Sequence, residues 1–349
     1  MNKIPNNIST SNSQLFFIAL TVAILTTGFL RLQLFTGLPE TDGGFYTFIN
    51  QYIYHALSNG QDIKGIPIHL YQMLTYWVHA LDVNQYILLR LIDGLVAIAA
   101  SIIFFKVILK ESGSIIFTVI FATGLFILMN DITVIAHGFK NSYWAAYIPF
   151  FTALLVWQKS SKEDNFSFYV IGALVSLGVL LREQCLPFFL LAGVAIFISY
   201  DWRVLLKYLI GSAILGFSVL AVMLSFRGWD LLDLINSYLF HQARPSNQVS
   251  GIIDINNLAF KMFVNSGLKS LKINWFICIT ALASIIYFIK LYAVDKKLAH
   301  MRRFIFWVFV SMIPLLQPLF NPIMFEYHFA QCLPGLTGLS AMGWRYINS

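Results

Sequence analysis

Apolar residues in this chain run in long blocks separated by short polar breaks. Such blocks fall near 14–35, 86–108, 113–130, 142–158, 167–181, 185–200, 204–225, 273–293, 303–320 and 328–346. A helix needs roughly 17–25 mostly apolar residues to span a bilayer, so the pattern predicts an all-α, polytopic membrane protein with about ten transmembrane helices. The run 167–200 is interrupted by Arg182-Glu183-Gln184 and Pro187, which predicts two shorter helices there. The first block lacks a small-residue cleavage site and is expected to stay as a helix. No internal repeat is visible, and the expected organisation is one transmembrane domain over 1–349 without a separate soluble domain.

Two connections are long, about 37–85 and about 226–272. Within the first, Phe45, Phe48, Ile49, Tyr52, Ile53, Ala56 and Leu57 share one helical face, while Thr47, Asn50, Gln51, His55 and Ser58 share the other. The stretch is too short to span, so it is expected to lie in the interface plane and to stop at Asn59-Gly60. Pro67 then leads a second short amphipathic stretch through Leu70, Tyr71, Leu74, Trp77, Val78 and Leu81.

Composition agrees with the pattern. Hydrophobic residues make up 58% and charged residues 11%, with a mean hydropathy of +0.73. Soluble domains carry about 25% charged residues, so this chain cannot cover a water-facing surface. The net charge of +7 does not point to nucleic acid, because the basic residues flank apolar blocks instead of forming a stripe interleaved with aromatics. Lys106 and Lys110, Lys159 and Lys162, Arg203 and Lys207, and Lys290 through Arg303 mark alternate connections. The positive-inside rule then puts those connections, both termini and Arg345 in the cytoplasm, and the loops 37–85 and 226–272 outside.

Several site chemistries find no support. There is no Walker-type phosphate loop, no His-Glu-x-x-His, no Gly-x-Ser-x-Gly and no Cys-x-x-Cys. Cys185, Cys278 and Cys332 show neither metal nor disulfide spacing. Asp131 and His137 lie six residues apart, a poor metal signal, so no cofactor is assigned and a divalent metal stays open but is not indicated.

The polar residues of interest gather at one predicted face. Asp42 follows the first helix and precedes the interfacial one, where it either caps that helix or serves as a base at the headgroup plane. Glu40 is a nearby alternative. Arg182 interrupts two apolar runs, where it either meets phosphate oxygens with its planar donor fork or forms a structural pair. Lys140 and Arg244 are further phosphate candidates, and Tyr327 and His328, where the last helix meets the outer surface, are candidates for binding substrate or lipid phosphate. Arg31 and Arg90 are both expected to reach the interface, and Asp93, three residues after Arg90, offers it a structural pair on one helix face.

Three segments carry a resemblance. Thr41-Asp42-Gly43-Gly44-Phe45-Tyr46, with Asn59-Gly60, Pro67 and Leu70-Tyr71, resembles the first outside loop of GT-C-type glycosyltransferases. The likeness is to their bacterial protein-mannosyltransferase-like and aminoarabinose-transferase-like branch. Glu326-Tyr327-His328-Phe329-Ala330-Gln331-Cys332-Leu333-Pro334 is similar to the entry into that family's final helix, and Arg182-Glu183-Gln184 to a polar break between two middle helices. Many members carry Asp-Glu where this chain has Asp42-Gly43, and the place of a second acid stays open between Asp131, Glu40 and neither.

The resemblance implies a GT-C-like membrane enzyme of a bacterial inner membrane, with its active site on the outer face. It would move one sugar, with inversion, from a polyprenyl-phosphate-linked donor to a surface glycan or lipid acceptor such as lipopolysaccharide. Asp42 would be the base, and Arg182, Lys140 or Arg244 would meet the lipid phosphate. Membrane lipids are the other expected partner, and nucleic acid is not one. Two rivals remain at this stage, an O-antigen or polysaccharide polymerase using the 226–272 loop, and a polysaccharide flippase or transporter.

Overall fold

The computed structural model describes residues 12–31, 41–63, 69–129, 141–161, 164–182, 185–233, 252–294, 298–316 and 329–347. Every regular element among them is helical. Helix α1 runs through Asn12–Ala23, a π-helical turn at Ile24–Gly28, and Phe29–Arg31. Next come α2 (Thr41–Ser58), and α3 (Leu70–Thr75) with its 3-10 continuation Tyr76–Ala80. The long α4 (Gln85–Ser112) turns through Gly113 into α5 (Ile115–Met129). Gly113 has φ of 65°, the left-handed region that closes a helix cheaply only for glycine.

The remaining elements are α6 (Asn141–Trp157), α7 (Asn165–Leu181), α8 (Leu186–Ser199) and α9 (Trp202–Arg227), then α10 (Ile252–Ile273), α11 (Trp275–Val294) and α12 (Leu298–Ser311). A further turn covers Ile313–Leu316, and a 3-10 turn at Ala330–Cys332 leads into α13 (Leu333–Ile347). Each of the ten apolar blocks contains a helix, and Arg182 separates α7 from α8 as expected. Pro187 sits in the first turn of α8, where a missing amide hydrogen costs nothing.

Among the described residues, three helices are long and apolar enough to cross a membrane: Gln14–Arg31, Gln85–Ser112 and Trp202–Arg227. The number becomes four if Phe260–Ile273 and Trp275–Lys290, which meet at 88°, form one broken span. Helices α5 to α8 are apolar but run only 14–17 residues, or about 21–26 Å against a hydrocarbon core of roughly 30 Å. Apolar side chains are exposed all the same on α5, α7 and α8, at Ile116, Phe166 and Phe197. On α9, Ile214 and Phe217 are 66% and 70% exposed, and Leu206 and Val222 join them on the surface. Such an apolar surface suits lipid contact and is compatible with insertion in a membrane.

The segment 226–272 is not the plain loop expected from sequence, because α10 fills its second half. Phe260, Val264, Leu268 and Leu271 form an exposed stripe at helical spacing, with exposed lysines beside it. Taken without α11, its two-sided pattern is too polar for a span, yet suits a helix lying along an interface.

Packing is organised around α4, which touches α1, α5, α6 and α13. Beyond α6 lie α7 and then α9, and on the other side α13 packs on α11 and α12. The interior is aromatic: Phe104 lies 4.6 Å from Phe151, Trp157 stacks on Phe306 at 4.1 Å, and Phe150 meets Phe188 edge-on at 4.0 Å between ring centroids. The α7–α9 crossing is closer still. A Cβ on Gly172 would fall 2.0 Å from the Tyr208 carbonyl oxygen, and one on Gly211 would fall 2.1 Å from that of Tyr169. Ser212 seals the crossing by donating to the Gly172 carbonyl at 3.0 Å. Small residues and a hydroxyl at a backbone-to-backbone contact are what helix association inside lipid favours.

Candidate functional site

The first long connection is built on a buried polar base. Arg31, at the end of α1, forms an ion pair with Asp93 on α4, with side chains 3% and 0% exposed. Its guanidinium also lies 5.7 Å from the Trp144 ring centroid of α6. Arg90 is buried on the same side of α4, one turn before Asp93, and sits 4.9 Å from the Tyr86 ring. The Arg90–Asp93 pair expected from their spacing is therefore displaced by a long-range partner, although Arg90 remains within electrostatic reach of the carboxylate. The expectation that Arg31 and Arg90 reach the interface is likewise corrected: both are buried, and a carboxylate within hydrogen-bonding distance of Arg31 offers it a better-satisfied position.

Tyr71 on α3 belongs to the same group, being buried and within reach of Asp93, Arg90 and Arg31. Burial, and then the Asp93 charge, push its phenol well above the usual tyrosine range, so it stays protonated at neutral pH. The short helix α3 is thereby tied to two long helices. His69 opens it with a capping box, its backbone amide donating to the Gln72 side chain at 2.9 Å.

Helix α2 sits against this base. Ile49, Ile53 and Ala56 are buried with Ile63, while Phe48, Tyr52 and Leu57 face outward. The single apolar face read from sequence is thus split between the protein and the surroundings. Asn50, assigned to the polar face, is fully buried and donates to the Thr75 hydroxyl at 3.0 Å, which in turn donates to the Tyr71 carbonyl. No local spacing pairs residues 50 and 75, so the sequence carried no signal for this contact.

Asp42 lies in the first turn of α2, which begins at Thr41 and continues through Gly43 and Gly44. The acidic residue is therefore inside the helix instead of ahead of it. The start of a helix is where its dipole favours negative charge.

Of the other candidates, Glu40, Asp131, Lys140, Arg244, Tyr327 and His328 lie outside the described residues. Arg182 is described. It ends α7 in extended conformation (φ −154°, ψ 116°), its amide donating to Gly178, and it is half-buried. Its carbonyl accepts from Cys185 at 2.9 Å, which carries the chain into α8. Among the described residues no group of three His, Cys, Asp or Glu side chains converges as a metal site would require.

A second polar group occupies the other end of α4, about 27 Å along the axis from Asp93. Glu111 is buried there, accepting from the Gln158 amide at 2.7 Å with Arg303 at 3.9 Å. Arg345 donates to the Lys110 carbonyl at 3.1 Å. Basic residues from connections far apart in sequence, Lys110, Lys159, Arg303 and Arg345, thus meet at one end of the bundle.

No protein-family model, curated protein or solved structure matches this chain.

Proposed function

We propose that the chain is a polytopic membrane glycosyltransferase of the GT-C kind, with about ten helices at bilayer depth, some of them short or paired. The first connection and α10 lie at the outer surface, and the basic end of α4 faces the cytoplasm. The observation that supports this reading most is the seating of α2. An amphipathic helix with Asp42 in its first turn packs on α3 and its 3-10 continuation, and Tyr71 of α3 ties these to the buried ion pair near one end of a membrane-long helix. Such a seat holds a surface helix at a fixed height, which a base at the headgroup plane needs.

In this mechanism a polyprenyl-phosphate sugar enters from the membrane and an acceptor hydroxyl arrives from outside. Asp42 removes the hydroxyl proton, the oxygen attacks the anomeric carbon, and the lipid phosphate departs with the electrons of the broken bond. Arg182, with Lys140 or Arg244, stabilises the charge on the leaving phosphate. One displacement inverts the anomeric centre.

One observation favours a rival. Arg90 and Asp93 are buried inside α4 itself, and charges within a membrane-long helix are a feature of transport pathways. Mass spectrometry of surface glycans and polyprenyl-phosphate sugars separates the readings, using a deletion strain complemented with wild type or Asp42→Asn. Transfer predicts that the deletion and the variant both lose one sugar from the glycan and accumulate its lipid-linked form, with protein level and insertion normal. A glycan of unchanged composition but shorter length would replace transfer with polymerisation. No change in either species would leave transport as the reading.

A further inference from the structure

At the end of α4 away from Asp93, three lysines surround an open cavity of about 440 Å³. Lys106 and Lys110 stand one turn apart on α4, and Lys159 lies in the turn that follows α6. Their side chains are exposed, and the wall between them is apolar, with Leu15 from α1, Phe105 from α4 and Leu155 from α6. None of the residues lining the cavity is acidic. The nearby carboxylate of Glu111 points into the bundle, where Gln158 and Arg303 engage it.

Three ammonium groups at one apolar cavity repel one another. Lys110 lies within electrostatic reach of both Lys159 and Lys106. The ammonium of Lys106 rests 5.6 Å from the Phe16 ring centroid, which holds it over the first helix. The arrangement becomes favourable once an anion sits among the lysines, and lysine serves phosphate as a compact point charge. The apolar wall selects the kind of phosphate. It offers no hydrogen bonds to a hydrated inorganic ion, but it suits a hydrocarbon chain. Lys106 and Lys110 occupy the last two turns of a helix long enough to cross a membrane, the depth at which lysines meet headgroups.

We propose that this cavity binds the phosphate headgroup of an anionic phospholipid, with an acyl chain lying along Leu15, Phe105 and Leu155. Basic pockets between membrane helices serve this purpose on physical grounds. A lipid held there bridges α1, α4 and α6, and so braces the helix that delivers Arg31 to Asp93. The inference rests on the placement of α4 in a membrane and is independent of glycosyl transfer, so a failed Asp42→Asn experiment does not touch it.

The test uses the full-length protein in detergent, titrated with dioleoyl phosphatidylglycerol or dioleoyl phosphatidylcholine and read by native mass spectrometry. Wild type is expected to retain phosphatidylglycerol preferentially. Each lysine is expected to contribute about fivefold, so Lys106→Gln/Lys110→Gln/Lys159→Gln should lose about a hundredfold of that preference. The corresponding triple arginine variant should keep it, as should Lys272→Gln on α10. If the triple glutamine variant fails to fold, single Lys106→Gln and Lys159→Gln variants carry the test at about fivefold each. Equal retention of both lipids, or an undiminished preference in the glutamine variants, overturns the proposal. So does displacement of the lipid by millimolar inorganic phosphate, which would assign the lysines to a soluble anion.

Discussion

Arg31 on α1 donates to the Asp93 carboxylate on α4 across 62 residues of sequence, and the two side chains bury each other almost completely. Removing one partner from a buried pair costs about 3–5 kcal/mol, because the other charge is stranded. The two single variants should not be equal. Arg31→Met leaves Asp93 with Arg90 still in reach, whereas Asp93→Leu leaves two guanidinium groups without that carboxylate. Thermal unfolding in detergent should therefore rank Asp93→Leu below Arg31→Met, with the double variant above Asp93→Leu. The opposite ranking would mean that Arg90 contributes nothing to the site.

The α7–α9 crossing predicts a sharp positional contrast among glycines. Gly172→Ala and Gly211→Ala each drive a methyl group into a backbone carbonyl, which forces the helices apart at a cost of roughly 1–3 kcal/mol or more. Gly94 and Gly124 have nothing within 4 Å of the added atom, so alanine there should be neutral or stabilise the helix by up to about 1 kcal/mol. Melting temperatures of the four variants check this directly. Similar losses at all four positions would remove the crossing as the cause.

Asn50 and Thr75 predict a double-mutant signature. Asn50→Leu alone leaves the Thr75 hydroxyl without its donor inside the fold, at a cost of about 1–3 kcal/mol. Adding Thr75→Val should restore part of the loss, since two apolar groups then meet. Additive losses would show that the pair does not join α2 to α3.

Acid should loosen the first connection. His79, in the 3-10 turn after α3, is half-buried, its Nε2 has no hydrogen bond among the described residues, and His55 lies nearby. Burial, and then the His55 charge, hold its pKa below the usual value, against the opposing hydrogen bond to the Thr47 backbone. The folded state therefore prefers neutral His79, while the opened state takes up a proton first. Above about pH 6.5 this group has no pH effect, and below it stability falls until the lowered folded pKa is passed. Hydrogen exchange across 69–81, corrected for intrinsic rates, should rise between pH 7.5 and 5.5 in wild type but not in His79→Phe. An equal rise in both proteins would assign the effect to another group.

Apolar block length carried most of the helical layout, because continuous runs such as 86–108 and 204–225 need only burial or lipid to become helix. In the middle, where the blocks 142–158, 167–181 and 185–200 are themselves short, α6 to α8 are short as well. Helix α10 was missed because Lys261, Lys269 and Lys272 dilute an apolar stripe visible only at a period of 3.6. Polar partners were the least legible feature. Asp93 has Arg90 beside it in sequence and Arg31 beside it in space, and only packing of α1 on α4 decides between them. The same holds for Asn50 and Thr75, whose contact depends on α2 folding back over α3.

The π-helical turn at Ile24–Gly28 bears on this choice of partner. A π turn accommodates one more residue than an α turn, and each residue of an α-helix advances the chain about 100° around the axis. Wound as plain α-helix, the same residues would swing Arg31 by roughly that angle away from Asp93, whereas deleting one residue would turn the segment into an α turn and leave the aim nearly unchanged. The aim of the guanidinium is therefore set by how the segment is wound as well as by its chemistry. The wider winding from Ile24 to Gly28 absorbs one residue, and so decides whether the two ends of the first helix address the same neighbour.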